Sequence, residues 1–134
     1  MDLVVANSGI AGPGLDGLPK DADIATLQKF LESIDTEAFT RTFATNVTGV
    51  FSTVAAFLAL LDAGNKNREG ERRGLKQRSQ IIAISSIGAY NRIPLAGYAY
   101  GPSKAAVVHM MKQFASGLVP YGIRSNIIAP GCEY

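Results

Sequence analysis

The sequence predicts an α/β fold in which helices flank a parallel sheet that forms part of a doubly wound arrangement. Three short apolar runs rich in β-branched residues, at residues 2–8, 80–86 and 123–129, are typical of buried strands. Two helical patterns separate the first run from the second, and one separates the second from the third. Strands that alternate with helices pair in parallel through right-handed crossovers, so we expect the three runs to lie in one sheet.

The first two helical patterns each have an apolar face with spacings of three and four residues. Residues 22–34 predict a short amphipathic helix whose apolar positions are Ile24, Leu27, Phe30, Leu31 and Ile34. Residues 35–61 predict a longer helix, for which Asp35 or Thr36 can act as the cap. Gly64 is the expected end of this helix, because glycine commonly follows the last helical turn.

Length and composition favour one soluble domain. The chain has 134 residues, of which 47% are hydrophobic, enough for a core of ordinary size. The net charge of +2 is too small to indicate a nucleic-acid partner. The longest apolar run, residues 47–61, contains hydroxyl side chains and is shorter than the roughly 20 residues that cross a bilayer, so we predict no membrane span.

The first residues and the cysteine content favour a cytoplasmic location. Residues 1–5 lack the basic segment and apolar stretch of a secretory signal. Cys132 is the single cysteine, so no internal disulfide can form, which fits a reducing compartment.

Basic side chains are concentrated in residues 65–78, where six lysines and arginines accompany two glutamates. This segment has neither aromatic residues nor helical periodicity, so we interpret it as a solvated loop. A polyanion-binding module that uses residues 66–78 is the alternative interpretation.

The residues with the clearest chemical meaning are Ser86, Tyr100 and Lys104. The third helical pattern covers residues 98–119, so Tyr100 and Lys104, four positions apart, share one helix face. The Lys104 ammonium can then favour the deprotonated form of the Tyr100 hydroxyl. Ser86, at the end of the second apolar run, can donate a hydrogen bond to a substrate oxygen. These groups can move a proton during the interconversion of a carbonyl and an alcohol, but a cofactor must supply the hydride.

The glycines at positions 12, 14 and 17 match the pattern G-x-G-x-x-G after the first apolar run. This pattern binds pyrophosphate only when a helix begins at its last glycine. Gly17 is followed by Leu-Pro-Lys-Asp and not by a helical pattern. We therefore favour a loop here, with a pyrophosphate site as the alternative.

Four motifs occur in the same order as in the short-chain dehydrogenase/reductase family, which the chain resembles over residues 2–131. Residues 2–9 resemble the family's strand that ends in Asn-Asn-Ala-Gly, and residues 46–49 resemble its Asn-x-x-Gly segment. Residues 85–88 resemble the serine motif, and residues 100–104 resemble the Tyr-x-x-x-Lys motif. Pro130-Gly131 also resembles the Pro-Gly turn that lies near the nicotinamide in the family.

The resemblance implies a Rossmann-like fold and an NAD(P)-dependent oxidoreductase that interconverts a ketone and a secondary alcohol. The implied catalytic residues are Asn46, Ser86, Tyr100 and Lys104, with Asn46 holding a water that links Lys104 to solvent. The implied cofactor-binding residues are Asn7, Ser8, Gly9, Tyr100, Lys104, Pro130 and Gly131. The choice between NAD and NADP is left open, as is the identity of the substrate.

The resemblance covers only the central and later part of the family fold. We therefore expect residues 1–134 to form a single partial domain, truncated at both ends, in which the first strand has an unpaired edge and one face of the sheet lacks helices. The alternative function is a non-catalytic remnant that associates with a full-length relative. The family builds subunit contacts from the helices that match residues 35–61 and 98–119, so we expect a homo-oligomer through them.

Two residues near the implied site have competing interpretations. Ser85 is an alternative to Ser86 as the substrate-orienting hydroxyl, since the two are adjacent. His109 is the single histidine, so we expect no metal site.

Overall fold

The computed structural model describes residues 1–69 and 78–131. Its strands are β1 (Leu3–Ala6), β2 (Gln80–Ile84) and β3 (Arg124–Ile128), and its helices are α1 (Ile24–Glu32), α2 (Thr36–Phe43), α3 (Gly49–Glu69) and α4 (Gly97–Gly117). The three strands pair in parallel in the order β1-β2-β3. The predicted α/β fold with a parallel sheet and flanking helices is therefore confirmed.

One face of the sheet carries the core. Val4 of β1 pairs with Ile81 of β2, and both side chains are buried. Helices α3 and α4 cover this face with buried apolar side chains, namely Val50, Val54, Leu61, Val107 and Met111. Burial of large aliphatic side chains contributes roughly 1.5–3 kcal/mol each, so this layer is the main source of stability in the described residues.

The opposite face of the sheet is only partly covered by the described residues. Leu3 and Val5 of β1 are 47% and 48% exposed, and Ile128 of β3 is 49% exposed. β1 also lies at the edge of the described sheet. The apolar runs therefore predicted the strands correctly, and within residues 1–69 and 78–131 the exposed side chains lie on one face of the sheet, as expected for a face without helices.

The second helical pattern forms a longer helical segment than predicted. Asp35 is its N-cap, with its carboxylate accepting a hydrogen bond of 2.8 Å from the Glu37 backbone N–H. Residues Ala44–Thr48 form a π-helical turn between α2 and α3, in which the Gly49 N–H bonds to the Ala44 carbonyl. Such turns are rare and are concentrated at functional sites.

Gly64 does not end the helix, and that prediction was wrong. α3 continues to Glu69, so residues 65–69 are helical and not part of a loop. The rest of the predicted basic loop, residues 70–77, lies outside the described residues, as does Cys132. Gly64 serves a packing purpose instead, because a Cβ at this position would overlap the backbone oxygen of Met1.

The segment Thr36–Asn67 is long and apolar enough to cross a membrane by length and composition. The sequence prediction of no membrane span was based on the short length of the apolar run, residues 47–61, and on its Thr and Ser side chains, whereas the helical segment in the structure has 32 residues. These hydroxyls can bond within a helix, as Thr53 Oγ1 does to the Gly49 carbonyl at 2.8 Å. Val54 and Leu61 of this segment are fully buried against the sheet, whereas 22% of its most apolar window is buried.

The smaller helical predictions differ in detail. α1 begins after Asp23, which caps it by accepting a 2.8 Å hydrogen bond from the Thr26 N–H. Ile24 was expected on the buried face but is 79% exposed, because it occupies the first helical position. α4 ends at Gly117, and a 3₁₀ turn (Val119–Tyr121) follows it, so the helix ends two residues before the predicted end at residue 119.

Gly64→Ala is expected to lower the free energy of unfolding by about 1–3 kcal/mol, because the added methyl group displaces the Met1 backbone from α3. Gly117→Ala is the matched control, since a Cβ there meets nothing within 4 Å. Alanine favours the helix over glycine, so Gly117→Ala should raise stability by roughly 0.5–1 kcal/mol. Urea unfolding of both variants provides the measurement, and equal effects of the same sign would contradict the packing role of Gly64.

Candidate active site

The carboxyl ends of the three parallel strands bring the implied cofactor-binding segments to one edge of the sheet. Residues 7–9 follow β1, residues 85–86 follow β2 and residues 130–131 follow β3. The Ile87 N–H donates a 2.9 Å hydrogen bond to the Pro130 carbonyl, so the last two segments are adjacent. In open α/β sheets, ligands bind outside this edge.

Ser86 and Tyr100 line the same cleft, which has a volume of about 600 Å³. Gly88 lies between them: a Cβ at Gly88 would be 3.4 Å from Ser86 Oγ and 3.5 Å from Cε1 of Tyr100. Ser86 Oγ accepts a 3.0 Å hydrogen bond from the Gly88 N–H, which begins the 3₁₀ turn Ile87–Ala89. The hydroxyl hydrogen of Ser86 remains available for an acceptor in the cleft.

Ser85 faces away from this cleft. Its side chain is buried, and its Oγ donates a 2.9 Å hydrogen bond to the Lys104 carbonyl. Ser85 thus fixes α4 against the end of β2. Of the two adjacent serines, Ser86 is the one that lines the cleft.

Lys104 places a buried ammonium group next to Tyr100. The residue is only 4% exposed, and its Nζ donates a 3.0 Å hydrogen bond to the Ile84 carbonyl. Nζ lies 5.7 Å from the centre of the Tyr100 ring, within the range of a cation–π interaction. Burial lowers the pKa of Lys104, because desolvation penalises the charged form.

Asn46 connects the segment after β1 to the helices. It is fully buried in the π-helical turn, and its Oδ1 accepts a 2.8 Å hydrogen bond from the Ile10 N–H. Its Nδ2 donates to the Ile10 carbonyl and to Ser103 Oγ, both at 2.9 Å. Both amide hydrogens therefore have protein partners.

Ser103 is a member of this network that the sequence analysis did not single out. Its Oγ accepts from Asn46 and donates a 2.7 Å hydrogen bond to the Tyr100 carbonyl. It therefore links Asn46 to the helical turn that carries Tyr100. The sequence contained one signal for Ser103. Serine has a low helix propensity, yet this serine stands inside the third helical pattern, directly before Lys104.

Gly9 lies where Asn46 and Lys104 come together. A Cβ at Gly9 would be 3.1 Å from Lys104 Nζ and 3.2 Å from Asn46 Oδ1. Glycine at this position therefore leaves room for both polar groups at the end of β1. Asn7 and Ser8 precede it and are exposed at the same edge.

The glycine-rich segment does not open a helix. The next helix after Gly17 is α1, which begins at Ile24. Gly12 has φ of 77°, and a Cβ there would overlap Thr42 Oγ1. The close approach of this loop to α2 explains Gly12 without a phosphate ligand.

His109 is exposed on α4. Within residues 1–69 and 78–131, no group of three or more His, Cys, Asp or Glu side chains is arranged to hold a metal ion.

Comparisons with known proteins agree with the geometry. A curated relative, the short-chain dehydrogenase/reductase PhomF' of Diaporthe leptostromiformis, is 49% identical over 131 residues, which is 98% of this chain and 43% of the relative. The Pseudomonas aeruginosa RhlG/NADP active-site complex matches the whole chain with a TM-score of 0.72 and 29% identity, over 43% of its own length. An NAD-bound 3-oxoacyl-[acyl-carrier protein] reductase from Brucella melitensis matches 98% of this chain with a TM-score of 0.70 and 26% identity, over 42% of its own length.

The chain thus spans less than half the length of each of these relatives. The sequence model of the short chain dehydrogenase family matches residues 1–133. Together with the ordered motifs around one cleft, this match establishes that the chain belongs to the short-chain dehydrogenase family.

Proposed function

We propose that the chain supplies the catalytic segment of an NAD(P)-dependent oxidoreductase that interconverts a ketone and a secondary alcohol by hydride transfer. The observation that carries the proposal is that Ser86 and Tyr100 line one cleft while the buried Lys104 ammonium lies 5.7 Å from the Tyr100 ring. Structurally similar relatives hold NADP or NAD, so both cofactors are candidates.

Ser86 and Tyr100 act on the substrate oxygen. The Ser86 hydroxyl donates a hydrogen bond to this oxygen, since its acceptor side is already engaged by the Gly88 N–H. The Tyr100 hydroxyl donates its proton to the same oxygen in the reduction, and in the oxidation the Tyr100 phenolate takes up the proton of the alcohol. The nicotinamide, when bound, supplies or accepts the hydride.

Lys104 assists Tyr100 electrostatically. Its positive charge favours the phenolate that remains after proton donation, and the buried setting strengthens this attraction relative to water. One of the three Nζ hydrogens is used by the Ile84 carbonyl, which leaves donors for the nicotinamide ribose that the family resemblance implies.

Asn46 is a positioning residue in this proposal. Its side chain holds Ile10 and Ser103, so it fixes the segment after β1 relative to α4. Because both amide hydrogens of Asn46 already have partners, a water linked to Lys104 would have to bond to a different atom of Asn46.

The cofactor-binding segments in this proposal are residues 7–9 and 130–131. They would hold the nicotinamide end of the dinucleotide, within one partial Rossmann-like domain.

We also propose that α3 and α4 pair with a second copy of the chain. Phe51 of α3 is 52% exposed and stacks on Phe114 of α4, with ring centres 6.2 Å apart. An apolar surface that extends over two neighbouring helices is suited to a four-helix contact between copies.

Tyr100→Phe is expected to lower kcat by at least about 100-fold, because it removes the hydroxyl that moves the proton. Ser86→Ala should lower kcat by about 100-fold through loss of the donor to the substrate oxygen. The assay follows the oxidation of NADH and of NADPH by ketones in the protein that carries these residues. Tyr121→Phe, at an exposed tyrosine after α4, should keep the wild-type rate. Turnover retained by Tyr100→Phe would remove Tyr100 from its role.

Lys104→Met is expected to give a pH-dependent gain in stability. Because burial lowers the pKa of Lys104, the folded chain holds this proton less tightly than the unfolded chain, where lysine has a pKa of about 10.4. The cost of the buried charge is therefore fully present below the lowered pKa and fades as the pH rises from there towards about 10.4.

Lys104→Met should thus be at least as stable as wild type at neutral pH, and its advantage in free energy of unfolding should shrink as the pH rises. Urea unfolding across this pH range measures the effect. Lys112→Met, at an exposed position of the same helix, controls for the loss of a lysine. A difference between Lys104→Met and wild type that stays constant with pH would contradict the prediction.

Phe51→Asp is expected to convert an oligomer into a monomer, because it places a charge within the apolar surface of α3 and α4. Light scattering coupled to size-exclusion chromatography gives the mass of the assembly. Ile24→Asp, at a more exposed apolar residue of α1, should leave the mass unchanged. A monomeric wild type, or equal behaviour of the two variants, would overturn the proposed pairing.

A further inference from the structure

We infer that the substrate carries an elongated or bulky apolar group that extends past Tyr98 into a second cavity next to the candidate active site. This inference rests on the proposed function and adds the class of substrate. The lining of the two cavities and the position of Tyr98 between them support it.

The cleft that contains Ser86 and Tyr100 has a mainly apolar wall. Ile87, Ile93 and Leu95 line it and are all exposed, with Leu95 at 72%. The lining includes one charged side chain, Arg92. Several large apolar side chains exposed on one wall of a cleft are typical of a ligand-binding surface.

The second cavity lies between α1, α2 and the start of α4 and has a volume of about 450 Å³. Its lining is apolar except for two threonines and the Tyr98 hydroxyl, and consists of Leu31, Ile34, Thr36, Phe39, Thr40 and Tyr98. Phe39 stacks on Phe43 at 5.7 Å between ring centres, so its ring is held in place. The residues that line this cavity include none of the proposed catalytic groups.

Tyr98 is the residue shared by the two cavities. It lies in the first turn of α4, two positions before Tyr100, and is 46% exposed. A ketone whose oxygen contacts Ser86 and Tyr100 can therefore extend its apolar part along Ile87 and Leu95 and past Tyr98. Small polar ketones leave this apolar wall in water, so the arrangement favours alkyl-chain or ring-containing ketones and their alcohols.

The test measures binding of methyl ketones from butanone to tetradecanone by titration calorimetry on the protein that carries this chain. Each methylene that enters the cavities should strengthen binding by about four-fold until they are filled. Thr40→Trp fills the second cavity and should end this increase at a shorter chain. Tyr98→Ala should weaken binding of the long ketones more than that of butanone.

Tyr90→Ala is the matched control, because Tyr90 is an exposed tyrosine of the neighbouring segment that lines neither cavity. It should bind the whole series as wild type does. Equal affinity for short and long ketones, or equal losses in Tyr98→Ala and Tyr90→Ala, would overturn the inference. Because the readout is binding, it is independent of turnover: chain-length-dependent binding without NAD(P)H oxidation supports the second subsite and overturns the proposed hydride transfer.

Discussion

The arrangement of the site depends on the buried side-chain amide of Asn46. This amide accepts from the Ile10 N–H and donates to the Ile10 carbonyl and to Ser103 Oγ, and so joins the segment after β1 to α4. Ser103 passes the connection to the Tyr100 carbonyl. Leaving this buried amide without hydrogen bonds would cost roughly 1–3 kcal/mol. The π-helical turn, the segment after β1 and the start of α4 are therefore held in one relative position.

The burial of Lys104 shows how stability and function oppose each other in this network. Desolvation lowers the pKa of Lys104, and a single 3.0 Å hydrogen bond to the Ile84 carbonyl offsets only part of that cost. The same burial places the ammonium group 5.7 Å from the centre of the Tyr100 ring, where water screens its charge less than at the surface. An apolar residue would pack more favourably there but would leave Tyr100 without a charged neighbour.

The sequence predicted those features that follow from local patterns. Alternating strands and helices defined the parallel sheet, and the four-residue spacing of Tyr100 and Lys104 placed both on one side of α4. Contacts between distant segments could not be predicted in this way. Gly64 looked like a helix end because its contact with Met1, 63 positions away in the sequence, leaves no local signal. The link through Ser103 and the cavity beside Tyr98 likewise arise from tertiary packing.

The candidate site lies on the covered side of the sheet, which explains how it can form although helices cover only one face of the described sheet. Lys104 and Ser103 belong to the buried side of α4, and Asn46 to the buried side of the neighbouring helical segment. Core residues of the same helix and of β2, such as Val107 and Ile81, are buried as well. The exposed face, with Leu3 and Val5, carries none of the proposed catalytic residues. The geometry of these groups therefore depends on the covered face of the sheet and on the loops at its carboxyl edge.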